Sequence, residues 1–178
     1  MRNAKLRKNR IIEIIFAAAI IVLFAVILKA DRGYYAEIGD EPGYLGSVTV
    51  FDKGGNAVYK WYSANGFIIS ADVSDNGKHL AVACEENGRG KIHIFRLDST
   101  EEKGLFESDE IVVGAQYLGN KLCALTEHGA YFVSNMGNTK KHVKFDGYLG
   151  EYSFSDGAVT AEVRGHLSGG VSRTIKLG

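Results

Sequence analysis

Residues that staple or stiffen a chain are scarce here: 178 positions hold two cysteines, one proline and one tryptophan. Two cysteines exclude a disulfide-dense scaffold and a four-thiolate metal site. The single proline, Pro42, excludes polyproline segments. Five histidines, His79, His93, His128, His142 and His166, occur one at a time, without His-x-His, Cys-x-x-Cys or His-Glu-x-x-His spacing. No metal site is expected from such a pattern. No Gly-x-Ser-x-Gly turn marks a hydrolase nucleophile, and Gly88-Arg89-Gly90-Lys91 lacks Walker spacing. The sequence therefore identifies no catalytic or cofactor-binding residue, and no cofactor is expected.

The formal net charge is also zero, 21 Lys and Arg against 21 Asp and Glu, but the balance is uneven along the chain. Residues 1–30 carry six basic residues and one Glu; residues 31–178 carry 15 basic and 20 acidic ones. The acidic larger part disfavours nucleic-acid binding. One long apolar run exists, Ile11, Ile12, Ile14, Ile15, Phe16, Ile20, Ile21, Val22, Leu23, Phe24, Val26, Ile27 and Leu28, broken only by Glu13 and small alanines. As a helix, residues 11–28 reach roughly 27 Å, enough to span a bilayer core. Arg2, Lys5, Arg7, Lys8 and Arg10 precede it. By the positive-inside rule they hold the N-terminus in the cytoplasm and send the rest out of the cell. A cleaved signal peptide needs small residues before the cut, and Leu28 would stand at the −3 position for Ala30, so an uncleaved single-pass anchor is the reading taken.

All 22 glycines follow that run, and they punctuate short apolar strands. GSVTVFD (46–52) alternates Val48 and Val50 with Thr49 and Phe51, and Lys53-Gly54-Gly55-Asn56 turns it into AVYKWY. GFIISADVS and KHLAVACEE flank Asp75-Asn76-Gly77; KIHIFRL and GLFES follow. EIVVGAQYL, KLCALTE, AYFVS and KHVKF repeat the cycle, and YLGEYSFS, AVTAEVR and SRTIKL begin another. In Ser74-Asp75-Asn76-Gly77 the Ser and Asp side chains are expected to cap the turn. Asp72, Asp75 and Asp156 do not recur at calcium-loop spacing. Cys84 and Cys123 fall inside strand patterns and read as buried free thiols, with a structural disulfide as the alternative in an exported domain.

The strands echo one another. Phe51, Phe95 and Phe132 recur at 44 and 37 residues, as do Val73, Tyr117 and Phe154; Leu80, Leu122 and Val159 recur at 42 and 37. Four antiparallel strands per roughly 40 residues is the spacing of a propeller blade. The echo places each Phe on the third strand of its unit, with Ile175 as the counterpart in the last. The expected fold is mainly β, a partial β-propeller of about three to four blades after one transmembrane helix. Its parts are a basic tip (1–10), the helix (11–28), a juxtamembrane linker (29–45) and an ectodomain (46–178). The ectodomain divides into a partial blade (46–62), two full ones (66–107 and 110–145) and a last partial one (148–177).

SVTVFDKGGNAVYKW resembles the outer hairpin of quinoprotein-type propeller repeats, and SDNGKHLAVA resembles the inner hairpin of WD40-type and TolB-type repeats. Two departures stand out. Phe95-Arg96 occupies the place of a WD dipeptide, and Trp61, the lone Trp, rules out a regular quinoprotein tryptophan motif. With its basic tip and anchor, the chain is similar to an uncharacterised family of single-pass bacterial surface proteins with a propeller ectodomain, found mainly in Gram-positive anaerobes. That resemblance implies a fold and no chemistry.

The functional expectation is a non-catalytic platform at the cell membrane, binding a protein or envelope partner. An extracytoplasmic quinoprotein-type dehydrogenase or hydrolase is the alternative, and a sensor acting through a membrane partner is a third. Tyr34, Tyr35, Tyr44, Tyr59, Trp61, Tyr62 and Phe67 crowd the early ectodomain, where they read either as blade core and membrane belt or as a recognition face. Missing blades would leave sheet edges open to self-association.

Overall fold

Strands whose burial alternates have one covered face, and strands buried at every position are covered on both. Both kinds occur here, and they fall in order along the chain. The computed structural model describes residues 33–155, 157–165 and 173–177. The expected tip (1–10) and anchor (11–28) lie outside these residues. Among the described residues no helix is long and apolar enough to cross a membrane.

Four antiparallel sheets follow one another. The first has the order β1 (Tyr35–Gly39), β2 (Gly46–Phe51), β3 (Ala57–Ser63). The second is β4 (Phe67–Val73), β5 (His79–Glu86), β6 (Arg89–Arg96), β7 (Glu101–Ser108). The third is β8 (Gly114–Leu118), β9 (Lys121–Thr126), β10 (Gly129–Val133), β11 (Thr139–Lys144). The fourth is β12 (Tyr148–Ser155), β13 (Ala158–Arg164), β14 (Arg173–Leu177). This is the up-and-down order of propeller blades. The stretch assigned to a linker supplies β1, whose Ala36 and Ile38 sit opposite Val50 and Val48, so the first sheet has three strands rather than a bare hairpin.

Three apolar seams hold the sheets together. Val48 and Val50 of the first sheet meet Leu80, Val82, Cys84 and Phe95 of the second. Ala81, Ala83, Ile92 and Ile94, on the second sheet's other face, meet Tyr117, Leu122, Ala124 and Val133. Cys123, Leu125, Ala130 and Phe132 then meet Val159, Ala161, Val163 and Leu177. In β5 and β9 successive residues therefore enter opposite seams, and both strands are buried almost throughout. β2 and β13 alternate because each has a free side.

Register corrects part of the echo. Leu80, Leu122 and Val159 do occupy equivalent places, opposite Phe95, Val133 and Leu177. The counterpart of Phe95 is thus Val133, 38 positions on, and that of the last sheet is Leu177 rather than Ile175, while Phe51 lies on the middle strand of the first sheet, not on a third one. A one-residue offset turns a side chain to the other face. Phe132 accordingly enters the third seam, whereas Val133 enters the second. At the Ser74 turn the expected cap holds for Ser74 and fails for Asp75. Ser74 Oγ accepts from His79 N at 3.0 Å, and Asn76 Oδ1, not Asp75, accepts from Lys78 N at 3.0 Å. Close approach explains two glycines: a Cβ on Gly104 or Gly137 would collide with the backbone of the other's strand or turn, where the second and third sheets meet.

Both cysteines are free and buried. They lie in different seams, Cys84 in the first and Cys123 in the third. Burial pushes each thiol up to about 12, which leaves it protonated and unreactive.

Leu122 is fully buried in the second seam, between sheets that cannot close over a void from either side. Leu122→Ala is expected to cost about 2–5 kcal/mol, read as a lowered urea midpoint at unchanged slope. A loss below about 1 kcal/mol would show that the seam is not tightly packed.

Candidate functional site

The innermost strands of the last three sheets are β4, β8 and β12, and their facing edges leave a recess of about 360 Å³. Ser70 and Asp72 of β4, Gln116 of β8 and Tyr152 and Phe154 of β12 line it. These inner strands are not joined by a ladder. Side chains bridge them instead. Ser70 Oγ accepts from Ala115 N at 3.0 Å, and Asp72 Oδ2 accepts from Tyr117 N at 2.7 Å. Tyr152 Oη donates to Val113 O at 2.7 Å, and Gly114 leaves room for that ring.

Burial raises the Asp72 carboxyl above the usual carboxylate range, the Tyr117 and Val73 amides pull it back in part, and nearby Asp75 adds repulsion. From Asp72 a polar line continues outward. The Tyr117 phenol donates to Asn135 Oδ1 at 3.1 Å, and Asn135 Nδ2 lies 3.3 Å from His79 Nδ1. Burial and the neighbouring Arg96 hold His79 below its ordinary value. The recess thus offers a carboxylate, an amide and hydroxyls, the donors and acceptors suited to a polar ligand. Ser70 is engaged on both sides by Ala115, accepting from its amide and donating to its carbonyl at 3.4 Å.

A second polar cluster sits at the rim of the first seam. His93 places Nε2 3.1 Å from Glu86 and Nδ1 3.0 Å from Glu102, while Lys91 reaches Glu86 at 2.9 Å and Glu107 at 3.3 Å. Trp61 covers the imidazole at 5.3 Å between ring centroids. Burial pushes the Glu86 carboxyl up, and the hydrogen bonds from Lys91 and His93 more than reverse it. His93 is therefore a hydrogen-bonded strand residue that ties β5, β6 and β7 together. Among the described residues no three His, Cys, Asp or Glu side chains gather as a metal site.

The aromatic cluster flagged by sequence divides in two. Tyr59 and Trp61 turn inward, 5.8 and 5.5 Å from Phe95, and close the first seam. Tyr44 and Tyr62 stack at 4.8 Å on the opposite, open face of the first sheet, 48% and 39% exposed. Tyr35 stacks on Phe51 at 5.1 Å, Tyr34 packs at Gly77, and Phe67 is exposed. Asp72, Gln116 and Tyr152 were not singled out as ligand-facing in the sequence. The available signal was Ser70-x-Asp72, two polar residues on one face of an otherwise apolar strand.

No family model matches this sequence, and no curated protein matches it. Solved structures similar to it include β-propeller and WD40 domains. The β-propeller domain of Myceliophteria thermophila Cps50 (Swd1) superposes with a TM-score of 0.53 at 14% identity, over 74% of this chain and 50% of that one. The C-terminal WD40 domain of Sif2 gives 0.51 at 12%, over 67% and 35%. The dihydro-heme d1 dehydrogenase NirN gives 0.55 at 15%, over 83% and 38%. The chain spans half or less of the length of each. At such identities the similarity establishes the propeller architecture and leaves the chemistry to the residues.

Asp72 supplies a pH test. A carboxyl whose pKa is raised on folding stabilises the protein below its unfolded value of 3.8, and that contribution is lost as pH rises through the folded value. Asp72→Asn keeps an acceptor for Tyr117 N–H without the charge. Wild type should lose stability relative to this variant as pH rises from about 3 to about 7, whereas Asp72→Ala should cost about 1–3 kcal/mol for the orphaned amide. Urea midpoints across that range check both; wild type and Asp72→Asn running parallel would contradict the account.

Proposed function

We propose that this chain is a membrane-anchored, extracytoplasmic binding platform that works without chemistry of its own, holding a protein or envelope partner on the open face of its first sheet. Ile11–Leu28 serve as the single-pass anchor, and Arg2, Lys5, Arg7, Lys8 and Arg10 keep the N-terminus in the cytoplasm. The resemblance to uncharacterised single-pass bacterial surface proteins supports this topology, and the propeller architecture suits rigid display of a surface.

The observation that carries the reading is the contrast between the two ends of the stack. The fourth sheet turns Ser153, Thr160, Glu162, Thr174 and Lys176 away from the third seam, a polar outer face of the kind that terminates a stacked array. The first sheet instead presents the Tyr44–Tyr62 stack beside Val58, with Lys60 held by Glu41 at 2.7 Å. Exposed tyrosines with a rigid support and a satisfied ion pair form a recognition surface.

A photoreactive residue placed at Val58 or Tyr62 in the full chain tests it in living cells. A discrete cross-linked product is expected from either position, with none from the same residue at Thr160. Cross-linking only from Thr160, or from no position, would contradict the proposal.

A further inference from the structure

Among the described residues some cations are matched by carboxylates and others, Lys53, Lys78 and Lys176 among them, stand in no ion pair. Lys60, Lys91, Arg96 and Arg164 each meet a carboxylate, within 2.6–3.2 Å. The outer part of the third sheet differs in gathering several unpaired lysines in one place. Lys121 opens β9, and Lys140, Lys141 and Lys144 lie on β11, the edge strand. All four are exposed, and none has a carboxylate partner among the described residues. The surrounding part of the chain is acidic, 15 basic residues against 20 acidic ones over residues 31–178, so the patch is a local concentration against the general charge.

Backbone geometry gathers three of these lysines. Phe132 pairs with Lys141 while Val133 pairs with Thr139, which makes Lys140 the extra residue of a β-bulge. A bulge re-aims the side chain it carries. Here it sets Lys140 beside Lys141 and opposite Lys121, around a recess of about 250 Å³ lined by these lysines and Phe132. Phe132 is 7% exposed and forms an apolar floor; Lys141 Nζ stands 5.4 Å from the ring centroid. His142 turns the other way and stacks on Tyr131 at 4.0 Å.

We propose that this recess binds a phosphate-bearing ligand, with the Lys121, Lys140 and Lys141 ammonium groups donating to the phosphate oxygens and the Phe132 ring against the carbon of a short ester. Three compact ammonium charges suit a tetrahedral, multiply charged anion, whereas a planar carboxylate is better matched by the fork of an arginine. The volume holds one phosphoryl group and a few carbons, not an extended chain. The site lies on a different sheet from the Tyr44–Tyr62 face and does not rest on the function proposed for it.

Calorimetric titration of the full chain at low salt with glycerol phosphate, inorganic phosphate and citrate tests the assignment. Glycerol phosphate should bind, more weakly as salt rises. Lys121→Gln and Lys141→Gln should each weaken it about tenfold, since each removes a charge-assisted bond. Lys176→Gln, on the fourth sheet, should leave it unchanged. Tighter binding of glycerol phosphate than of inorganic phosphate supports an ester as ligand, and equal binding supports recognition of the phosphoryl group alone. The proposal is overturned if neither phosphate binds, if citrate binds as well as they do, or if both lysine variants match wild type. Both lysines are exposed strand residues, Lys141 touching the core only through its ammonium over Phe132, so the Gln variants are expected to retain the fold, which an unchanged urea midpoint checks.

Discussion

The face-to-face burial of each β-sheet on the next is the constraint from which the rest of this structure follows. A three- or four-stranded sheet has two faces and no interior, and an isolated one cannot hide its apolar side from water. In this chain Leu80, Val82 and Cys84 face backward while Ala81 and Ala83 face forward, so β5 is committed to two neighbours at once. β9 repeats the arrangement with Leu122 and Ala124 on one side and Cys123 and Leu125 on the other. Removing either neighbour would expose a complete apolar face. The two thiols also owe their inertness to this geometry, since they are buried in the first and third seams, with the second between them.

Polar groups are consequently confined to where the seams end. At the inner edges Ser70, Asp72 and Tyr152 carry hydrogen bonds between strands that no ladder joins. At the rim of the first seam Glu86, His93, Glu102 and Lys91 form a satisfied cluster under Trp61. Ligand chemistry is available only at such margins and on the two terminal faces, and those faces differ. One ends in hydroxyls and charges; the other ends in stacked tyrosines.

Most strands, the turn positions and the stacking were legible because they are written locally. GSVTVFD alternates, KHLAVACEE does not, and that difference alone separates a terminal sheet from an enclosed one. The sequence misled where a register had to be exact. Phe132 matched Phe95 by type but stands one residue off, and only the pairing of Leu122 with Val133 reveals it. β1 escaped notice because its alternation is short and its apolar residues, Ala36 and Ile38, gain meaning only opposite Val50 and Val48. The inner recess was illegible for a related reason. Ser70 meets Ala115 and Asp72 meets Tyr117 across 45 positions, contacts that exist only after the sheets have stacked.

If stacking is the source of stability, protection should be graded by how many faces of a sheet are covered. Native-state hydrogen exchange of the full chain measures this directly. Amides of β5 and β9 should exchange only through the largest opening, and those of β2 and β13, each with one free face, should exchange through smaller ones. Equal protection of all four strands, or slower exchange in β2 and β13, would contradict the dependence of each sheet on its neighbours.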